Sequence, residues 1–147
     1  MCYMIYLSTD SGQDLSQGDQ PPLLMFEKDP ERPEPGIVLL RHPHKWFVGA
    51  AGACSCYFRH LSAIELGFGA PEDWYPEDAE DIETTKQFYD MVAGLLSAGN
   101  QVDCVSQWVD TPADAITHLD VDLAVVPREA FRFFEDHHFT FTSAHGG

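Results

Sequence analysis

The fold depends most on residues 71–100, PEDWYPEDAEDIETTKQFYDMVAGLLSAGN. Their pattern predicts a single amphipathic helix. Apolar and small side chains recur there at steps of three and four residues, which is the spacing of one helical face. Pro76 and the carboxylates that follow it suit the positive end of a helix, and Gly99-Asn100 predicts a left-handed stop. We expect Phe88, Val92 and Leu95 to be buried against a sheet that includes Ile5, Leu7 and Trp46.

Strand patterns precede this helix. The run CYMIYLST at 2–9 is apolar on both faces, which predicts a strand inside a sheet, and LLMFEK at 23–28 predicts a second strand. IVLLR and KWFVG, at 37–41 and 45–49, flank Pro43 and predict a hairpin, and CSCYFRH at 54–60 alternates like a third strand. The N-terminal half is therefore expected to contain an antiparallel β-meander.

The C-terminal half is predicted to read βαβαβ. Strands are expected at 101–109, 120–126 and 138–143, and helices at 110–119 and 127–137, where Pro112 and Pro127 take first helical positions. The predicted fold class is α+β, with residues 1–147 as one domain. The meander, the long helix and the βαβαβ segment together form a mixed sheet with helices packed on it.

The negative charge of the chain limits the classes of molecule that we expect it to bind. The 147 residues carry a formal net charge of −16, and residues 60–127 contain fourteen acids against one base, Lys86. Such a surface repels phosphates, so nucleic acid and anionic membranes are not expected partners, whereas a basic protein is. The N-terminus lacks a signal-peptide pattern and the four cysteines lack a disulfide-scaffold spacing, so we expect a cytoplasmic protein with reduced thiols.

Cys54 and Cys56 are the sharpest chemical feature of the sequence. Strand alternation aims both thiols to one side, at a spacing of about 6.6 Å. A structural zinc ion needs four ligands, so a zinc site requires either that Cys54 and Cys56 lie in a loop near the histidines or that Cys2 or Cys104 joins them from another strand. Three interpretations remain open: thiols packed as small apolar groups, a soft-metal site, or a thiol site with Cys56 as nucleophile and Cys54 as its partner.

The histidines of the predicted hairpin offer a weaker metal or general-base cluster. His42, His44 and His60 fall at one end of it, and the pair His137 and His138 points apart on a strand. Histidines near a turn are more often solvated surface groups. The cluster is therefore not expected to be the principal site.

The sequence favours a non-enzymatic binding or interaction domain, since no phosphate loop, dinucleotide fingerprint, nucleophile elbow or EF-hand loop is present. Trp74 and Tyr75, between two PED motifs, are the expected contact residues, unless they fold back onto the helix. No cofactor is expected on this interpretation. The alternative is a thiol-dependent redox or zinc site built on Cys54 and Cys56. A homodimer formed through an edge strand is left open.

Overall fold

Six strands form a mixed sheet at the centre of the fold, in a computed structural model that describes residues 3–15, 24–31, 33–50, 58–61, 67–69 and 79–142. The strands in chain order are β1 (Tyr3–Thr9), β2 (Leu24–Lys28), β3 (His44–Ala50), β4 (His60–Leu61), β5 (Val102–Trp108), β6 (Thr117–Asp122), β7 (Phe133–Phe134) and β8 (His137–Thr142). The large sheet has the order β2-β3-β1-β5-β8-β6, and β4 and β7 pair separately. Within the large sheet β6 and β8 run parallel and the other neighbours are antiparallel. The α+β class is confirmed.

The long helix, α1 (Ala79–Ser97), packs on one face of this sheet. Phe88, Val92 and Leu95 are buried on it, as the periodicity predicts. They share one apolar cluster with side chains from β1 and β3, including the expected Ile5, Leu7 and Trp46. The helix ends before Gly99, whose φ of 89° is the left-handed conformation that glycine adopts without strain. Among the described residues, no helix is both long and apolar enough to cross a membrane.

The predicted meander is not the arrangement observed. The sequence predicts a strand at 37–41, but Pro35–Leu39 is a 3-10 helix, and β3 pairs with β1 and β2 instead. A three-residue period places Ile37 and Leu40 together on the sheet while Val38 is exposed. Pro35 supplies the helical φ, and Gly36 lies too close to the sheet for a side chain. Most of the third predicted strand, 54–57, lies outside the described residues.

The two helices predicted near the C-terminus are also replaced. The first is reduced to a 3-10 helix at Ala113–Ala115, after which the chain enters β6. The second is a turn followed by β7. Every residue from Ala130 to Phe134 is buried, whereas a helix lying on a sheet turns part of its surface to solvent. An extended chain lets Phe131 and Phe133 both pack against Phe88.

The sheet therefore has two differently covered faces. One, the helix face, carries α1 and most of the phenylalanine core. The other is covered by residues 29–31 and 33–43, here called the covering segment. Tyr6, Phe47 and Val105 point toward this segment and form a second apolar cluster with Leu40. Register places one row of residues across all six strands on this second face: Glu27, Phe47, Tyr6, Val105, His138 and His118.

Candidate functional site

A cavity of about 300 Å³ opens between the second face of the sheet and the start of the covering segment. Its size is at the lower end of the range typical for small-ligand sites, and it suits one amino-acid side chain or a small molecule. The walls combine apolar and acidic groups. They are formed by Met4, Tyr6, Glu27, Pro30, Glu31 and Phe47.

Three adjacent strands position the aromatic part of this cavity. Tyr6 on β1 lies directly opposite Phe47 on β3, and Phe47 lies opposite Glu27 on β2. The Tyr6 and Phe47 rings meet edge to face, with centroids 5.9 Å apart and an angle of 62° between their planes. Both residues are buried, so their rings are held by packing before any ligand arrives. The aromatic wall is therefore preformed.

Tyr6 also fixes the covering segment in place. Its hydroxyl oxygen accepts the backbone N–H of Glu34 at 3.0 Å. Burial raises the pKa of Tyr6 above its usual value, and the negative charges of Glu34 and Glu27 raise it further. The phenol is therefore neutral at physiological pH, and it faces a negative electrostatic field.

The charged part of the cavity is negative. Glu27 ends β2 and Glu31 follows Pro30 in the covering segment, and both side chains are exposed at the rim. Among the described residues, the lining includes no lysine, arginine or histidine that would neutralise them. Lys28, the neighbour of Glu27, is directed to the helix face, where its ammonium lies 5.7 Å from the centre of the Trp46 ring. The cavity thus offers two exposed carboxylates to a cation, beside an aromatic wall that is almost fully buried.

A buried polar network anchors the other end of the covering segment. One carboxylate oxygen of Asp103 on β5 accepts the hydroxyl of Ser8 on β1. The other accepts the backbone N–H of Arg41 at 3.1 Å and Nε2 of His138 at 2.8 Å. The Ser8 oxygen in turn accepts the backbone N–H of His42 at 3.2 Å. These bonds satisfy a fully buried carboxylate and tie residues 41–42 to the sheet.

The network contains a serine, an aspartate and a histidine, but its geometry is not that of a nucleophilic triad. In a triad the histidine lies between the serine and the carboxylate and removes the hydroxyl proton. Here the carboxylate of Asp103 lies between Ser8 and His138 and accepts from both. The arrangement therefore holds residues 41–42 of the covering segment against the sheet.

A pair of histidines extends this polar region to the edge of the sheet. The rings of His118 on β6 and His138 on β8 lie 5.2 Å apart between centroids. His118 Nε2 is 2.9 Å from the hydroxyl of Thr140 and 3.4 Å from a carboxylate oxygen of Asp120. Within the described ranges, no group of three or more histidine, cysteine or acidic side chains is arranged to hold a metal ion.

Five of the six cysteine and aromatic residues that the sequence predicts as site residues lie outside the described part of the chain. These are Cys2, Cys54, Cys56, Trp74 and Tyr75. Cys104 is described, and it is fully buried on the helix face of β5. Burial raises the pKa of its thiol well above the ordinary value, and the adjacent Asp103 raises it further. Cys104 is thus a packed neutral thiol in the described structure.

Sequence reasoning missed the cavity because its lining comes from three separate segments. Met4 and Phe47 look like ordinary strand residues, and Glu27 and Glu31 look like ordinary surface acids. The available signal was Pro30 after a strand that ends in a charged residue, which marks a turn beside the sheet edge. That signal identifies a loop, but only the pairing of β2, β3 and β1 brings its carboxylates beside Tyr6 and Phe47.

Comparison of the chain with profiles of known protein families, with curated proteins and with solved structures found no match. The function is accordingly inferred from the chain's own residues and their geometry.

Proposed function

We propose that this chain is a non-enzymatic binding domain and that its partner is a basic protein. The observation that carries the proposal is the acidic cavity on the second face of the sheet, where Glu27 and Glu31 border the aromatic wall of Tyr6 and Phe47. An aromatic pocket with a polar rim is the usual composition of a contact site in a protein interface. The net charge of −16 adds long-range attraction for a basic partner.

The same charge argues against other macromolecules as partners. A nucleic acid or an anionic membrane would bring phosphates toward the Glu27 and Glu31 carboxylates, and Coulomb repulsion would oppose binding. A basic partner instead gains from both the local carboxylates and the global charge. We include Trp74 and Tyr75 as a second part of the contact surface, on the evidence of their sequence alone.

A peptide-binding experiment tests this function. The intact chain is titrated with three peptides of equal length, one rich in lysine and arginine, one neutral and one acidic, at low and at physiological salt. We expect only the basic peptide to bind, and its affinity to fall as salt screens the exposed carboxylates. Equal binding of all three peptides, or none at either salt concentration, would contradict the proposal.

A double variant, Trp74→Ala with Tyr75→Ala, tests the second part of the contact surface in the same assay. We expect it to bind the basic peptide more weakly than the parent does. Unchanged affinity would remove these two residues from the proposal and leave the cavity as the contact site.

Two separate measurements test the alternative function, a thiol-dependent redox or zinc site on Cys54 and Cys56. Elemental analysis of the protein purified without a histidine tag would show about one zinc per chain if the metal site is correct. Thiol labelling as a function of pH would give a midpoint well below about 8.5 if one thiolate is activated. Absence of both results would exclude this alternative.

A further inference from the structure

We infer that the cavity is a pocket for a single alkylammonium group, the side chain of a lysine on the basic partner. This inference rests on the proposed function and names the chemical group that the binding site recognises. The aliphatic stem would lie along Met4 and Pro30 and the small exposed part of Phe47, and the ammonium would lie near the carboxylates of Glu27 and Glu31.

The volume of the cavity sets the size of the occupant. A space of about 300 Å³ admits one long side chain and does not admit a folded surface. The apolar part of the lining, Met4 and Pro30, matches the four methylenes of a lysine stem. A purely charged ligand such as a hydrated metal ion would leave this apolar surface without a contact.

The two rim carboxylates favour a cation over a neutral alkyl chain. Glu27 and Glu31 are both exposed, so each can attract a positive charge that enters the cavity. Register sets Glu27 directly opposite Phe47, beside the aromatic wall. Only a small part of that wall is accessible, since Tyr6 is 0% and Phe47 7% exposed, so the carboxylates supply the attraction for the charge.

The arrangement of the two carboxylates favours an ammonium over a guanidinium. Glu27 lies on β2 and Glu31 on the covering segment, so their carboxylates approach the cavity from separate elements. The donors of an ammonium group diverge in three directions and suit such a divided pair of acceptors. A guanidinium is flat, and it pairs best with one carboxylate through two parallel bonds or stacks on one ring.

Matched peptides test the identity of the cation. One neutral tripeptide scaffold, with capped ends, carries lysine, arginine or norleucine at its centre, and each is titrated against the intact chain by calorimetry. We expect the lysine peptide to bind about five-fold or more tighter than the norleucine peptide, since the difference is the cation on the same stem. Equal or tighter binding of the norleucine or arginine peptide would overturn the inference.

Variants of the cavity test its location. Glu27→Gln and Glu31→Gln remove exposed charges, and each should lower the affinity for the lysine peptide by up to about five-fold. Glu83→Gln, at an exposed position on α1, should leave that affinity unchanged. Phe47→Leu should also weaken binding. Its control is Phe26→Leu, because Phe26 is equally buried, at 7% exposure, but packs on the helix face against Trp46.

The outcomes separate this inference from the proposed function. If no basic peptide binds the parent chain, the proposed function fails and the inference fails with it. If basic peptides bind the parent but the three cavity variants bind the lysine peptide as well as the parent does, the basic-partner function stands and the cavity is not its site. A selective loss in Glu27→Gln, Glu31→Gln and Phe47→Leu supports the inference.

Discussion

The hydroxyl of Tyr6, on the central strand β1, accepts the backbone N–H of Glu34 at 3.0 Å and so joins the sheet to the covering segment. The same residue is part of the lining of the acidic cavity. One residue thus links the stability of the covering segment to the shape of the proposed site. Variants of Tyr6 are expected to change both properties.

The substitution Tyr6→Phe removes the acceptor and keeps the ring. We expect a loss of about 1 to 2 kcal/mol in the free energy of unfolding, because the N–H of Glu34 loses its partner in a partly buried position. Urea unfolding measures the loss. Tyr89→Phe is the control for binding, since the Tyr89 hydroxyl bonds the carbonyls of Leu123 and Val126 and not the covering segment. A lysine peptide should bind less well only to Tyr6→Phe.

The substitution Leu95→Ala tests which face of α1 is inside. Leu95 is 5% exposed, so removing its methyl groups should lower the free energy of unfolding by about 2 to 5 kcal/mol, because apolar burial is lost and a void remains in the core. Glu80→Ala, at an exposed position on the same helix, should cost no more than about 1 kcal/mol. Coincident urea midpoints for the two variants would mean that the packing of α1 on the sheet is wrong.

A pair of glycine substitutions tests how closely the covering segment approaches the sheet. A Cβ at position 36 would lie 2.3 Å from Oε1 of Gln107 and 2.8 Å from a methyl of Val105, so Gly36→Ala should destabilise the protein. It should also disturb the bond from the Gly36 N–H to Gln107, now 2.8 Å. Gly94 lies at an exposed position in the last turn of α1 with no atom near its Cβ position, so Gly94→Ala should raise the free energy of unfolding by up to about 1 kcal/mol. If Gly36→Ala and Gly94→Ala shift the melting temperature in the same direction, this account is wrong.

The buried thiol of Cys104 predicts a loss of stability in alkali. Because burial raises its pKa well above 9.0, the thiol ionises first in the unfolded chain, and the unfolded state then binds fewer protons than the folded state. The free energy of unfolding should therefore fall as pH rises above about 9. Cys104→Ala should reduce this slope, while the tyrosines with raised pKa, Tyr6 and Tyr89, contribute equally in both proteins. An identical slope in the parent and the variant would show that Cys104 ionises freely in the folded state.

The parts of the fold that sequence predicted well are those with a long pattern and a clear end. The helix α1 has five turns of periodic residues and a glycine stop, and β1 and β5 are apolar or buried on both faces. The failures are short apolar runs. The apolar pattern of residues 37–41 fits a strand as well as a single tight turn, and the close approach of Gly36 to Gln107, a contact between distant segments, accompanies the turn that forms.

The candidate site was less predictable because its properties arise from pairing between distant strands. Nothing local to Ser8 or Asp103 indicates that they share a buried hydrogen bond across 95 positions of sequence. In the sequence, Asp103 is only the one charged residue of a strand whose other residues are apolar or neutral and polar. In the same way, nothing local to the two rim carboxylates indicates a binding site, because only the register of the strands sets Tyr6 beside Phe47 near them.

The most direct test of the central claim is a measurement of where a bound lysine lies. Intermolecular nuclear Overhauser effects would be recorded between the intact chain and the capped lysine tripeptide, with the methyl of Met4 and the rings of Tyr6 and Phe47 assigned. The account predicts contacts from the δ and ε methylenes of the lysine to these groups, and their loss in Glu27→Gln combined with Glu31→Gln. Contacts to residues outside the cavity, with none to Tyr6 or Phe47 while the peptide is bound, would contradict it.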